Sequence, residues 1–153
     1  MDKEKAYQAG FRPHLKLLNG LDDFLVRANR DRVRMAIGSA AITMNIDFVL
    51  DGLGIRQYFN AVVSADDVLQ SKPDPETFLK CAELLNVAPG DCLVFEDSPK
   101  GTEAARNAGM DAWVLTTMHQ PEEFPRENII GFSEDFSGML YEQIMRSANE
   151  QAK

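Results

Sequence analysis

What this 153-residue sequence has little of already narrows what it is. It has two cysteines, Cys81 and Cys92, without C-x-x-C spacing, and two thiols cannot staple a disulfide scaffold. They read as small buried hydrophobes in a reducing compartment. Its two histidines, His14 and His119, stand far apart with no neighbouring ligand pattern, which argues against a zinc site. Positive charge is in deficit. Sixteen Lys and Arg against 24 Asp and Glu leave a net charge of −8 and a sequence pI of about 4.7. Such a chain has no basic footprint for nucleic acid or an anionic membrane. No apolar stretch approaches the roughly 20 residues that span a bilayer. The opening residues, Met1 to Gly10, are charged and lack the apolar centre of a signal peptide. These absences point to a cytoplasmic protein with neither nucleic acid nor membrane as a partner.

What is present is ordinary globular material. With 44% hydrophobic residues the chain has the apolar content to fold, and its length suits one domain over residues 1–153. Short, nearly continuous apolar runs predict buried strands at Val33–Ile37, Ala61–Val63, Cys92–Phe95 and Ala112–Leu115, and more weakly at Asn128–Gly131. Helical spacing separates them. Ile42, Ile46, Val49, Leu50 and Leu53 form one apolar stripe, with Ser39 placed as an N-cap and Gly54 beyond the end. Phe78, Cys81, Ala82 and Leu85 form another, with Asp74 as N-cap and Pro75 at the first helical position. A third helix is expected from Pro99 to Asn107 behind Ser98, with a small inward face of Ala104, Ala105 and Ala108. Leu17–Ala28 and Phe136–Ala148 complete the set. Strand and helix in alternation predict an α/β, Rossmann-like three-layer core with a mostly parallel sheet.

In open parallel sheets, ligands gather outside the carboxyl ends of the strands. There the sequence places Ser39 after the first strand, Ser64, Asp66, Asp67 and Lys72 after the second, and Glu96-Asp97 after the third, with Thr116 and Thr117 after the fourth. A hydroxyl at a helix N-terminus, a lysine and two adjacent carboxylates suit a phosphoryl group with a divalent cation. Helix N–H groups and Ser39 would donate to the anion, Lys72 would offset its charge, and Glu96 and Asp97 would offer the hard oxygens that magnesium prefers. Each has a plainer counterpart: Ser39 as a simple cap, Lys72 as a solvated loop lysine, Glu96-Asp97 as a solvated turn. Asp66-Asp67 reads as structural, at the start of a helix.

The stretch from Ser71 to Met110, with K-P-D-P at Lys72–Pro75 and E-D-S-x-x-G at Glu96–Gly101, closely resembles the haloacid dehalogenase-like phosphohydrolases. The nearest likeness is the branch of β-phosphoglucomutase and the small sugar-phosphate and phosphoglycolate phosphatases. Met35 to Val68 resembles the same branch, and the likeness runs from about Leu15 to Thr117. It implies that Ser39 binds the phosphoryl group, that Lys72 neutralises nucleophile and phosphate, and that Asp97 holds magnesium with Glu96 as companion, direct or through water. In the family an aspartate nucleophile forms an aspartyl-phosphate while magnesium and the lysine offset charge.

The sequence also departs from that pattern. The family's nucleophile lies in a D-x-D-G-[TV] motif ending its first strand, and no D-x-D occurs in these 153 residues. The helical cap that follows that motif has no counterpart either, so the chain is expected to be an incomplete core, the C-terminal portion of such a fold. The missing strand would be the central one, between Val33–Ile37 and Cys92–Phe95. A gap there would orphan on the order of eight backbone groups at about 1–3 kcal/mol each, comparable with a whole domain's stability of about 5–15 kcal/mol. The expectation is that the sheet closes over the gap, that a homo-oligomer or strand exchange fills it, or that the missing segment is supplied separately.

Three functions compete. The first is a magnesium-dependent phosphatase or phosphomutase on small phosphorylated metabolites, sugar phosphates among them, inactive alone for want of the Asp nucleophile. The second is a non-catalytic phosphate-binding or assembly module. A receiver-like phospho-acceptor domain carries similar groups, but with its acids first. Here the order is Ser39, Lys72, then Glu96-Asp97, which disfavours it.

Overall fold

Ala36–Gly38 (β1) pairs in parallel with Ala61–Val63 (β2), Ile37 opposite Val62. Leu93–Glu96 (β3), Asp111–Leu115 (β4) and Ile129–Ser133 (β5) form a second parallel sheet in that order. Parallel neighbours need a crossover, and Thr43–Leu53 (α2) joins β1 to β2 as Pro99–Asn107 (α4) joins β3 to β4. Glu76–Leu85 (α3) lies between the two sheets in sequence. Leu21–Arg30 (α1) precedes β1, and Leu140–Ala152 (α5) follows β5. The structure, a computed structural model, describes residues 19–138 and 140–152. Among the described residues no helix is long and apolar enough to cross a membrane.

Alternate strand residues face opposite helical layers, which gives the three layers the sequence predicts. Ile37, Phe95, Trp113 and Leu115 pack with α1, α2 and α5, whereas Val94 and Ala112 pack against the small Ala104 and Ala105 of α4 and against Phe78 of α3. Phe24 anchors the first layer. Its ring meets those of Phe95, Phe136 and Tyr141 edge-on at centroid distances of 5.4, 5.1 and 5.3 Å. Such pairs add to the burial of their apolar area. Gly131 of β5 lies flat on Trp113, where an added Cβ would stand 2.3 Å from the ring.

Several boundaries differ from expectation for a physical reason. The helix after β1 does not start at Ser39. It begins at Thr43, and Ile42, at its N-cap position, has no capping side chain. The cap comes from across the chain: Asp66 Oδ2 accepts the Thr43 N–H at 2.9 Å, and Ser64 Oγ lies 2.7 Å from Thr43 Oγ1. α3 starts one residue later than expected, at Glu76 with Pro75 in the N-cap position, and Asp74 Oδ1 accepts the Glu76 N–H at 2.9 Å from the residue before. The first helix starts at Leu21; positions 17 and 18 of its expected range lie outside the described residues. The last starts at Leu140 rather than Phe136, which instead packs into the aromatic cluster. By contrast, α4 spans Pro99–Asn107 as predicted, with Ser98 Oγ accepting the Gly101 N–H at 3.1 Å.

Among the described residues the sheet does not close over the expected gap. β1 pairs only with β2, and β3 only with β4, so two sheet edges face a common slot. Asn60 N–H donates to Met35 O and Ser39 N–H to Val63 O, which turns the odd residues of β1 toward β2. Ala36 and Gly38 therefore turn their backbone groups the other way. Residues of both edges line two adjoining hollows. One is bordered by Ala36, Cys81, Val94 and Phe95. The other lies at the strand beginnings beside Val33, Met35, Cys92 and Leu93. The Cys81 thiol is buried against Ile37 O, and that of Cys92 is directed at Ala88 O.

Candidate active site

Lys72 sits in the loop between β2 and α3, and that loop is held by its own backbone. The Glu76 carboxylate accepts the N–H groups of Leu69 and Gln70 at 3.0 and 2.9 Å, and these bonds hold it below the usual carboxylate range, Gln70 first. Asp74 N–H donates to Ser71 O, the Lys72–Pro73 peptide is cis, and Asn107 Nδ2 donates to Pro73 O at 3.1 Å. The Lys72 side chain is 9% exposed. Its ammonium donates to Gly38 O at 3.2 Å and to Glu96 Oε2 at 2.9 Å, and lies 4.6 Å from the centre of the Phe78 ring. Because Gly38 ends β1 and Glu96 ends β3, one ammonium spans the ends of both sheets. The two strands thus finish on the same rim.

Glu96 is fully buried. Its Oε1 accepts the Asp97 N–H at 3.2 Å and the Ser98 hydroxyl at 3.3 Å, while Oε2 takes Lys72. Its carboxyl group lies against the first turn of α4, where the positive end of the helix favours an anion. Only glycine fits there, because a Cβ on Gly101 would stand 2.0 Å from Glu96 Cδ. Asp97 follows at 2% exposure.

Ser39 is 2% exposed and borders the same rim. Its Oγ accepts the Ala41 N–H at 3.0 Å, a local turn four residues ahead of the helix rather than a helix cap. Ser39 and Lys72 line one hollow with Ala40, Ala65, Leu69 and Thr77. Ser39, Lys72 and Glu96 therefore come together, linked through Lys72 and the Gly38–Ser39 turn, and the Asp97 N–H donates to Glu96 Oε1 beside them.

The other polar residues at the strand ends stay structural. Ser64 Oγ accepts the Asp66 N–H at 3.1 Å, and Asp67 Oδ2 accepts the Ser64 N–H at 2.8 Å. The Thr43 N–H and hydroxyl hold the Asp66 carboxyl below its ordinary range. Thr116 extends the β4–β5 pairing through Ser133 O. His119 pairs with Glu123 at 3.2 Å, and His14 lies outside the described residues. Two contributors escaped the sequence reading. Phe78 registers only as a core position by its spacing, and Gly101 only as a motif letter.

The carboxylates present can be weighed against a divalent cation. Among the described residues no group of three or more His, Cys, Asp or Glu could hold a metal. Glu96 is committed to Lys72 and to α4, which leaves Asp97 as the rim carboxylate that fits. That suffices for magnesium, which keeps several waters and is commonly held by one or two carboxylates plus substrate phosphates.

Comparison with known proteins agrees with this geometry. A family model described as haloacid dehalogenase-like hydrolase matches residues 2–115. The fructose-1-phosphate phosphatase YqaB of Escherichia coli K12 is 47% identical over 88 residues, 58% of this chain and 47% of that protein. The β-phosphoglucomutase of Bacillus subtilis 168 is 35% identical over 96 residues, 63% of this chain and 42% of that one. A crystal structure of β-phosphoglucomutase from Clostridium difficile superimposes with a TM-score of 0.75 at 25% identity, covering 89% of this chain and 58% of that one. The chain thus spans about half the length of the curated relatives it matches.

Proposed function

This chain belongs to the haloacid dehalogenase-like hydrolases, and from that premise we propose that its rim binds the phosphoryl group of a small phosphorylated metabolite, a sugar phosphate, together with magnesium. Curated homologues are sugar-phosphate phosphatases and phosphomutases. The observation that carries the reading is Lys72, whose ammonium is held at the ends of β1 and β3 beside Ser39. In this reading Ser39 donates its hydroxyl to a phosphoryl oxygen, and Lys72 offsets the negative charge of the group. Asp97 would hold magnesium, which supplies electrostatic stabilisation of the phosphoryl oxygens when bound. The proposed compartment is the cytoplasm, in keeping with two cysteines that form no disulfide scaffold.

A covalent step needs a carboxylate nucleophile, and these 153 residues contain no D-x-D. The chain alone is therefore proposed to bind without turnover. The test is melting and phosphate release with fructose 1-phosphate and magnesium chloride. A ligand at 100 times its Kd adds about 2.7 kcal/mol of stability, so the melting temperature should rise while no phosphate appears. Ordinary turnover that Lys72→Ala abolishes would refute the inactivity, and no melting shift with any sugar phosphate would refute the site. A rise without product also favours the second reading, a non-catalytic phosphate-binding module.

The slot motivates a partner. Edges such as β1 and β3 are ready templates for an added strand, and we propose that a strand from a partner chain, in a homo-oligomer or by exchange, pairs between them. Light scattering should then report an assembly larger than 17.1 kDa. A monomer with native-like cooperative melting would count against it.

A further inference from the structure

We propose that Asn19 is a site of spontaneous covalent modification, its side-chain amide lost through a succinimide, and that the loss loosens the junction between α1 and the segment leading into α5. Of the eight asparagines in the chain, Asn19 alone precedes a glycine. Gly20 has no Cβ to shield its backbone nitrogen from the amide carbon beside it. Asn19 is exposed, and Gly20 occupies the N-cap position of α1 at φ 80°, in the left-handed region. Among the described residues the Gly20 N–H donates to no acceptor, so the attacking nitrogen is not tied up. Neither residue lines the hollow that Ser39 and Lys72 share.

The Gly20 nitrogen gives its proton to solvent and attacks Asn19 Cγ. The bond from Cγ to the side-chain nitrogen breaks, and ammonia leaves with a proton from solvent. Water then opens the succinimide at one carbonyl or the other, leaving either aspartate or an isoaspartyl linkage. Water is the only co-reactant. Both products alter the turn. The Asp135 carboxyl is held below its ordinary range by the Ser137 hydroxyl first, with the Asn19 amide as a further donor. A carboxylate at position 19 replaces that donor with a second negative charge, which Asp135 repels. The isoaspartyl product also lengthens the main chain by one carbon, where there is little slack. Asn19 O accepts the Phe136 N–H at 2.9 Å, and a Cβ on Gly20 would stand 2.6 Å from the Phe136 carbonyl. The Phe136 ring packs on Phe24 of α1 at 5.1 Å, so a shift of this turn reaches the core.

Ageing the full chain in warm, mildly alkaline buffer and mapping its peptides by mass spectrometry tests the reactivity. The peptide holding Asn19 should gain the mass of an amide-to-acid exchange ahead of every other asparagine, and part of the product should be a substrate for isoaspartyl methyltransferase. Conversion of another asparagine first, or an intact Asn19 in the aged chain, overturns the proposal. Thermal melts at pH 7 test the consequence. Asn19→Asp should melt a few degrees lower than the wild type, and added salt should narrow the gap by screening the two carboxylates. Asn19→Asp with Asp135→Asn restores one amide facing one carboxylate and should recover most of the loss. An Asn19→Asp chain that melts with the wild type, or a loss that neither salt nor the second substitution relieves, overturns the part assigned to Asp135.

Discussion

Lys72 Nζ lies 2.9 Å from Glu96 Oε2, with the two side chains 9% and 1% exposed. The contact joins the loop after β2 to the end of β3. Removing one member of a buried pair leaves the other charge uncompensated, at a cost of about 3–5 kcal/mol, whereas replacing both with apolar groups is often nearly neutral. Lys72→Met alone should therefore destabilise the chain by roughly that amount, and Lys72→Met with Glu96→Leu should recover most of it. Urea unfolding of the two variants checks this.

Gly101→Ala sets helix propensity against packing. Alanine in a helix interior is favoured over glycine by about 1 kcal/mol, but the added methyl would stand 2.0 Å from Glu96 Cδ. Overpacking of this kind costs about 1–3 kcal/mol. The clash should win, so a thermal melt of the variant should show a lower melting temperature.

The α2 helix depends on a cap 23 residues away, Asp66 to the Thr43 N–H. Because that bond lowers the Asp66 pKa in the fold, its contribution is present above the unfolded value of about 3.9 and fades as the pH falls through the lower folded value. Asp66→Ala should lower the melting temperature by a few degrees at pH 7 and make little difference in strong acid. Thermal melts across that range give the comparison.

Tyr141 of α5 donates its hydroxyl to Asp31 Oδ2 at 2.6 Å, beyond the end of α1. Burial first, and this bond second, push the Tyr141 pKa up to about 12. A raised folded value means the contribution is complete below the unfolded pKa of about 10 and is lost as the pH rises from there to about 12. Ultraviolet titration should find one of the three tyrosines ionising last, near pH 12. In Tyr141→Phe that late step should vanish and the Asp31 pKa should rise toward its ordinary range, since the hydroxyl is the main cause of its depression.

How much of the fold and the site could be read beforehand followed the reach of each signal. α4 was legible to the residue because Ser98 and Pro99 are adjacent to the helix they start. α2 was misplaced because its cap comes from Asp66, and nothing near Ser39 says so. The strands were found as apolar runs, but their partners were not, since pairing depends on which runs pack side by side. At the candidate site, Ser39, Lys72, Glu96 and Asp97 are singled out in the sequence by type and by position after strands. That Glu96 would spend its charge on Lys72 could not be seen, because the two are separated by 24 residues and meet only once β3 lies opposite β1.

By itself the sequence determined the alternation of buried strands and helices, the acidic surface and the chemistry available at the strand ends, since these depend on local periodicity and residue type. Only the tertiary structure decided that, among the described residues, the sheet stands in two pieces across a slot, and that one ammonium bridges their ends. Those outcomes depend on distances between segments far apart in the chain, which packing sets and local pattern does not encode.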